Sequence, residues 1–76
     1  MKYKLSDISK KVGFYRRHQR IPTLGEIEKA WEDAQAGHID GAVRILDWRR
    51  HCFLAKTEDE RAALARIMEY AQQLFE

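Results

Sequence analysis

The stretch TEDERAALARIMEYAQQLF, residues 57–75, decides the fold. It opens on Thr57-Glu58-Asp59-Glu60, the form of a capping box. In such a box the threonine hydroxyl accepts from the third backbone N–H of the helix, and the glutamate carboxylate reaches back to the threonine N–H. Three acids in the first turn also suit the positive end of the helix macrodipole. Beyond the cap, Leu64, Ile67, Met68, Ala71, Leu74 and Phe75 recur at helical spacing and make one apolar stripe. Ala62, Ala63 and Ala65 raise helix propensity around it, so a helix is predicted over 58–75.

The same signals recur upstream. Thr23-Leu24-Gly25-Glu26 repeats the box, and Pro22 just before it blocks any helix from running through. Leu24, Ile27, Trp31 and Ala34 then share a face, with Glu28, Lys29, Glu32 and Asp33 elsewhere on the barrel and Gly37 as a left-handed stop. This predicts a helix over 24–36. Asp40 is the expected cap of a third helix over about 40–55, joined to the last by a short turn, so the two should form an antiparallel hairpin. Ser6 is the expected cap of a first helix in which Leu5, Ile8, Val12 and Tyr15 share a face; Gly13 interrupts it, and the pattern carries on to about residue 19. Alternating β-branched runs and Asn-Gly or Asp-Gly turns are absent. The expected fold is all-α, a small bundle of four short helices at about 6–19, 24–36, 40–55 and 58–75, with Trp31 packed across the last two. The expected core is Ile8, Val12, Leu24, Ile27, Trp31, Ile45, Leu46, Phe53, Leu64, Ile67, Met68, Ala71 and Leu74.

With 76 residues and no repeat, low-complexity run or linker, the chain reads as one domain. A domain of this size hides only about 60% of the surface its unfolded chain exposes, which disfavours an enclosed catalytic cavity and makes a homodimer that hides more apolar surface an attractive expectation. Cys52 is the single cysteine, which excludes an intramolecular disulfide and suits a reducing compartment, with a buried thiol expected rather than a reactive one. The charged start MKYKLSDISKK is unlike a signal peptide, and no run approaches the roughly 20 apolar residues of a membrane span. The reading is a cytoplasmic protein with no membrane association.

The net charge of +2 hides a strong asymmetry. Residues 1–20 carry Lys2, Lys4, Lys10, Lys11, Arg16, Arg17 and Arg20 against Asp7 alone, a local charge of +6; the remainder has seven bases against eleven acids, or −4. The basic end therefore expects a nucleic acid or an acidic protein surface. Within GFYRRHQRIP, residues 13–22, three arginine forks suit phosphate oxygens, and Tyr15 and His18 offer flat faces on which a base stacks. A bland account competes: cations at the end of a helix also suit its dipole. The candidate binding residues are Lys10, Lys11, Tyr15, Arg16, Arg17, His18 and Arg20.

Residues 5–14, LSDISKKVGF, resemble the first helix and turn of helix-turn-helix DNA-binding domains, particularly the AraC-type regulators. The resemblance implies a turn at Gly13 between two crossing helices and a second helix entering the major groove. It spans about ten residues. The chain departs from the pattern directly afterwards, since Pro22 cuts the recognition helix to about seven residues and the usual hydrophobic anchor positions hold Arg or Gln.

Arg49 falls in the middle of a sector bounded by Ala42, Ile45, Leu46, Cys52 and Phe53, where a core residue is expected. Its guanidinium has to be paired, or reach water along its aliphatic stem. Alternatively that face meets a partner or a second copy, and Trp31 and Trp48 join Arg49 as candidate interface residues. Metal and cofactor sites are not expected. His51 and Cys52 are adjacent and diverge on a helix, while His18 and His38 lack ligand spacing. No Gly-rich phosphate loop, paired carboxylates or nucleophile elbow occurs, so an enzyme is not expected. Two functions remain. One is a non-enzymatic nucleic-acid-binding accessory or regulatory protein. The other is a small protein-binding regulator or inhibitor, of the kind phages and mobile elements direct at a host complex, using the same basic edge and exposed aromatics. A structural subunit of a larger assembly is a third.

Overall fold

A computed structural model describes residues 2–12, 21–50 and 55–75. They form four helices, α1 (Leu5–Val12), α2 (Leu24–Gln35), α3 (Ile39–Arg50) and α4 (Glu58–Leu74), around one apolar core, and no strand occurs among them. The all-helical bundle expected from the periodicity is borne out. The predicted continuations of the first helix past Val12 and the third past Arg50, the turn at Gly13, and Phe53 lie outside the described residues.

Both capping boxes form. The Thr23 hydroxyl accepts from the Glu26 N–H at 3.3 Å while the Glu26 carboxylate accepts from the Thr23 N–H at 3.0 Å; at Thr57 and Glu60 the corresponding distances are 3.1 and 3.0 Å. The end of α2 is equally explicit. Gly37 adopts φ 92°, its N–H donates to the Ala34 carbonyl at 3.1 Å, and the His38 N–H donates to the Asp33 carbonyl at 2.8 Å. This pair of bonds is a Schellman turn, and it needs a residue that tolerates the left-handed region.

Two other caps differ from expectation. The turn at Gly37 leaves only His38 before α3, which starts at Ile39; Asp40 lies inside the first turn, and the His38 carbonyl accepts from the Gly41 N–H at 3.1 Å. Likewise α1 starts at Leu5, one residue before Ser6, because Tyr3 is held extended. Its N–H donates to the Leu74 carbonyl at 2.6 Å, it makes an isolated parallel bridge with Phe75, and the Lys4 carbonyl then receives the Asp7 and Ile8 N–H groups. The Tyr3 hydroxyl donates to the Ala34 carbonyl at 2.8 Å. One residue thereby ties the start of α1 to the ends of α2 and α4.

Helix α3 is central and packs on α1, α2 and α4, while α2 also meets α4. Its crossing with α2 is close because Gly41 faces Ala30 and Ala34. A Cβ there would lie 2.7 Å from the Ala34 nitrogen and nearer still to the Ala30 carbonyl oxygen. The core consists chiefly of Ile8, Ile27, Ala30, Ala34, Ala42, Val43, Ile45, Leu46, Ile67, Ala71 and Leu74. Leu24 and Met68 are corrections to the expected core, with 50% and 39% of their surface exposed. Leu24 opens α2 beside the first turn of α4, where no further helix among the described residues covers it. Met68 lies at the edge of the α4 stripe, whose buried centre runs Ala63, Ile67, Tyr70, Ala71, Leu74. Trp31 and Leu64 are half-buried rather than central.

Candidate nucleic-acid interface

The charges of this molecule fall into two kinds. On α2, α3 and α4, Arg44 and Arg66 are tied to carboxylates. Arg44 Nη2 meets Asp33 Oδ2 at 2.7 Å, with its Nε donating to the Asp40 carbonyl at 3.4 Å. Arg66 lies 3.7 Å from Glu28 and 3.9 Å from Glu69. The Glu28 carboxylate accepts the Tyr70 hydroxyl at 2.6 and 2.8 Å. That hydrogen bond, reinforced by burial, holds the phenol proton and pushes the Tyr70 pKa above its ordinary value. The Tyr70 ring also stacks on Trp31 with centroids 4.1 Å apart and planes 11° from parallel, and the Arg66 guanidinium sits 5.8 Å from its centroid. Trp31, expected at an interface, thus has one face occupied inside the chain.

The flank of α1 is different. Lys2, Lys4, Lys10 and Lys11 are all exposed, and none makes an ion pair or side-chain hydrogen bond among the described residues. Asp7, the acid within this segment, is exposed and pairs with none of them. Lys10 and Lys11 form the last turn of α1, as Arg49 and Arg50 form the last turn of α3. The fold brings those two cationic ends together: Arg50 Nη2 donates to Ser9 Oγ at 3.0 Å, across 41 positions of sequence.

Arg49 stands beside this junction, half-buried and without an ion pair or hydrogen bond among the described residues. It lines two adjoining depressions that also share Leu5. One, of about 310 Å³, carries Ser9, Leu46 and Arg50; the other, of about 260 Å³, carries Met68, Ala71, Gln72 and Phe75. Apolar side chains flank Arg49 in both depressions. Trp48 is half-buried against the core. Of the remaining candidates, Tyr15, Arg16, Arg17, His18 and Arg20 lie outside the described residues, as do His51 and Cys52.

Sequence reasoning missed Arg50 and the meeting of the two cationic helix ends. The paired bases in each last turn were visible, but their adjacency depends on how α1 crosses α3. It also missed Asp47, an acid buried in α3 with 4% of its surface exposed. His38 lies with Asp33, Asp40 and Arg44 around an open depression of about 510 Å³, where the guanidinium already occupies the carboxylate of Asp33. Among the described residues no three His, Cys, Asp or Glu side chains come together as a metal site, and no helix is long and apolar enough to cross a membrane.

No family model matches this chain, and neither the curated proteins nor the solved structures contain a match.

Proposed function

We propose that this protein is a small non-enzymatic accessory protein that binds nucleic acid through its basic N-terminal flank. The observation that carries the reading is the contrast in pairing. Arg44 of α3 and Arg66 of α4 meet carboxylates, whereas Lys2, Lys4, Lys10 and Lys11 make no ion pair among the described residues, and Arg50 bonds Ser9, the residue before Lys10. Like charges gathered without counter-charges destabilise a compact chain, and an external polyanion relieves that repulsion. Arg16, Arg17 and Arg20, with Tyr15 and His18 interleaved, extend the same charge along the sequence.

The test is a salt titration of binding to labelled DNA. Five phosphate contacts, from Lys10, Lys11, Arg16, Arg17 and Arg20, give a slope of log affinity against log salt of about −4.5 on duplex and about −3.5 on single strands. A flat dependence, or no binding at low salt, overturns the reading. The same cations, together with exposed Leu24 and Met68, also fit an acidic protein surface. A stoichiometric protein partner that survives nuclease treatment and is lost with Arg16→Glu would establish that role instead.

A further inference from the structure

The lysine flank alone does not distinguish a duplex from a single strand, because both present phosphates. The Arg49 trough does. Resting on the nucleic-acid reading above, we propose that this trough holds one unstacked base, so that the protein's ligand is single-stranded nucleic acid.

The floor and walls are apolar, from Leu5, Leu46, Ala71 and Met68, and Met68 is exposed enough to be touched by a ligand. Two groups in the wall carry free hydrogen-bonding capacity among the described residues: the Arg49 guanidinium and the exposed Gln72 amide. A planar ring edged with donors and acceptors satisfies such a site. Apolar side chains cover its faces, while a guanidinium bonds the ring oxygens and nitrogens that arginine reads in base edges. A bare phosphate would leave the apolar walls in water. A protein carboxylate would need a large side chain beside it to fill the remaining space.

The trough is also continuous with the cationic junction. Arg50 and Ser9 line the same depression as Arg49, and Ser9 precedes Lys10 on α1. A strand with a phosphate on Arg50 therefore passes the trough and can turn one base into it. A duplex keeps its bases paired and stacked and so has no free base to place beside Arg49. Volumes of about 260 and 310 Å³ leave room for a base.

The experiment compares a fluorescein-labelled strand of about twelve nucleotides with a hairpin duplex of the same sequence, by anisotropy at one low salt concentration. Wild type is expected to bind the strand about tenfold more tightly. Arg49→Met keeps the stem and removes the charge, so it should weaken strand binding about tenfold and leave duplex binding within twofold. Gln72→Ala, on an exposed helix position, should weaken strand binding less and duplex binding not at all. Unchanged melting of both variants separates loss of contact from loss of fold. Equal affinity of wild type for both ligands, or a uniform loss with Arg49→Met, overturns the single-strand assignment while the nucleic-acid reading stands. Absence of binding to either ligand overturns both.

Discussion

The α2–α4 clasp and the α1 flank are built from similar residue types and use them in opposite ways. In the clasp, Arg66, Glu28, Tyr70 and Trp31 satisfy one another through an ion pair, hydrogen bonds and a ring stack. On α1, Lys10 and Lys11 are exposed and make no ion pair among the described residues, and Arg49 lies between apolar side chains. Charge in the first region serves the fold. Charge in the second makes no ion pair among the described residues, which is why the proposed interface is placed there.

Substitutions should therefore separate into those that damage stability and those that damage binding. The largest stability effect is expected in the shared core, where Ile67→Ala should cost about 2–5 kcal/mol in denaturant unfolding. Next comes Gly41→Ala. The added methyl meets the α2 backbone, and the overpacking, about 1–3 kcal/mol, outweighs the better helix propensity of alanine. Retained stability there would show that the α2–α3 crossing is looser than described. Tyr70→Phe removes the hydrogen bond to Glu28 and should cost about 1–2 kcal/mol. Thr57→Ala, which deletes a cap, should cost about 1 kcal/mol. Replacing Lys10 and Lys11 with glutamine should change stability by less than about 0.5 kcal/mol, yet weaken nucleic-acid binding severalfold. A large stability loss from that pair would erase the distinction between the two regions.

The titrating groups sharpen the same comparison. Backbone N–H groups of Lys56 and Thr57 donate to the Glu60 carboxylate and hold its pKa below the ordinary value. Its contribution to stability is thus complete above the unfolded-state pKa and is lost as pH falls through the lowered folded value. Tyr70 runs the other way. The protonated phenol is the bound form, so its contribution is complete below the ordinary tyrosine pKa and is lost as pH rises through the raised one. Unfolding measured below the ordinary glutamate pKa and above the ordinary tyrosine pKa should therefore show Glu60→Gln flattening the acid limb and Tyr70→Phe the alkaline limb. Limbs unchanged in the two variants would contradict these assignments.

What could be read in the sequence was local. Thr23 with Glu26, Thr57 with Glu60, and Gly37 act through bonds to backbone within a few residues, so their caps were legible and formed as expected. Features that depend on distant partners were not. The Tyr3 bridge to Phe75 moves the start of α1, and the turn at Gly37 moves the start of α3 ahead of Asp40. Met68 and Tyr70 exchange burial because the wheel of α4 shows a stripe but not its centre, which is set by where α2 and α3 press on it. For the site, the exposed lysines were legible from composition, whereas the Arg50 bond to Ser9 and the Arg49 trough exist only once α1, α3 and α4 are packed.

The central claim is that the cations of the α1 flank neutralise phosphates. It is tested most directly by the salt dependence of single-strand binding, with wild type measured against the Lys10→Gln, Lys11→Gln double variant. Two lost phosphate contacts should make the slope of log affinity against log salt shallower by about 1.4. An identical slope in the two proteins would contradict the claim.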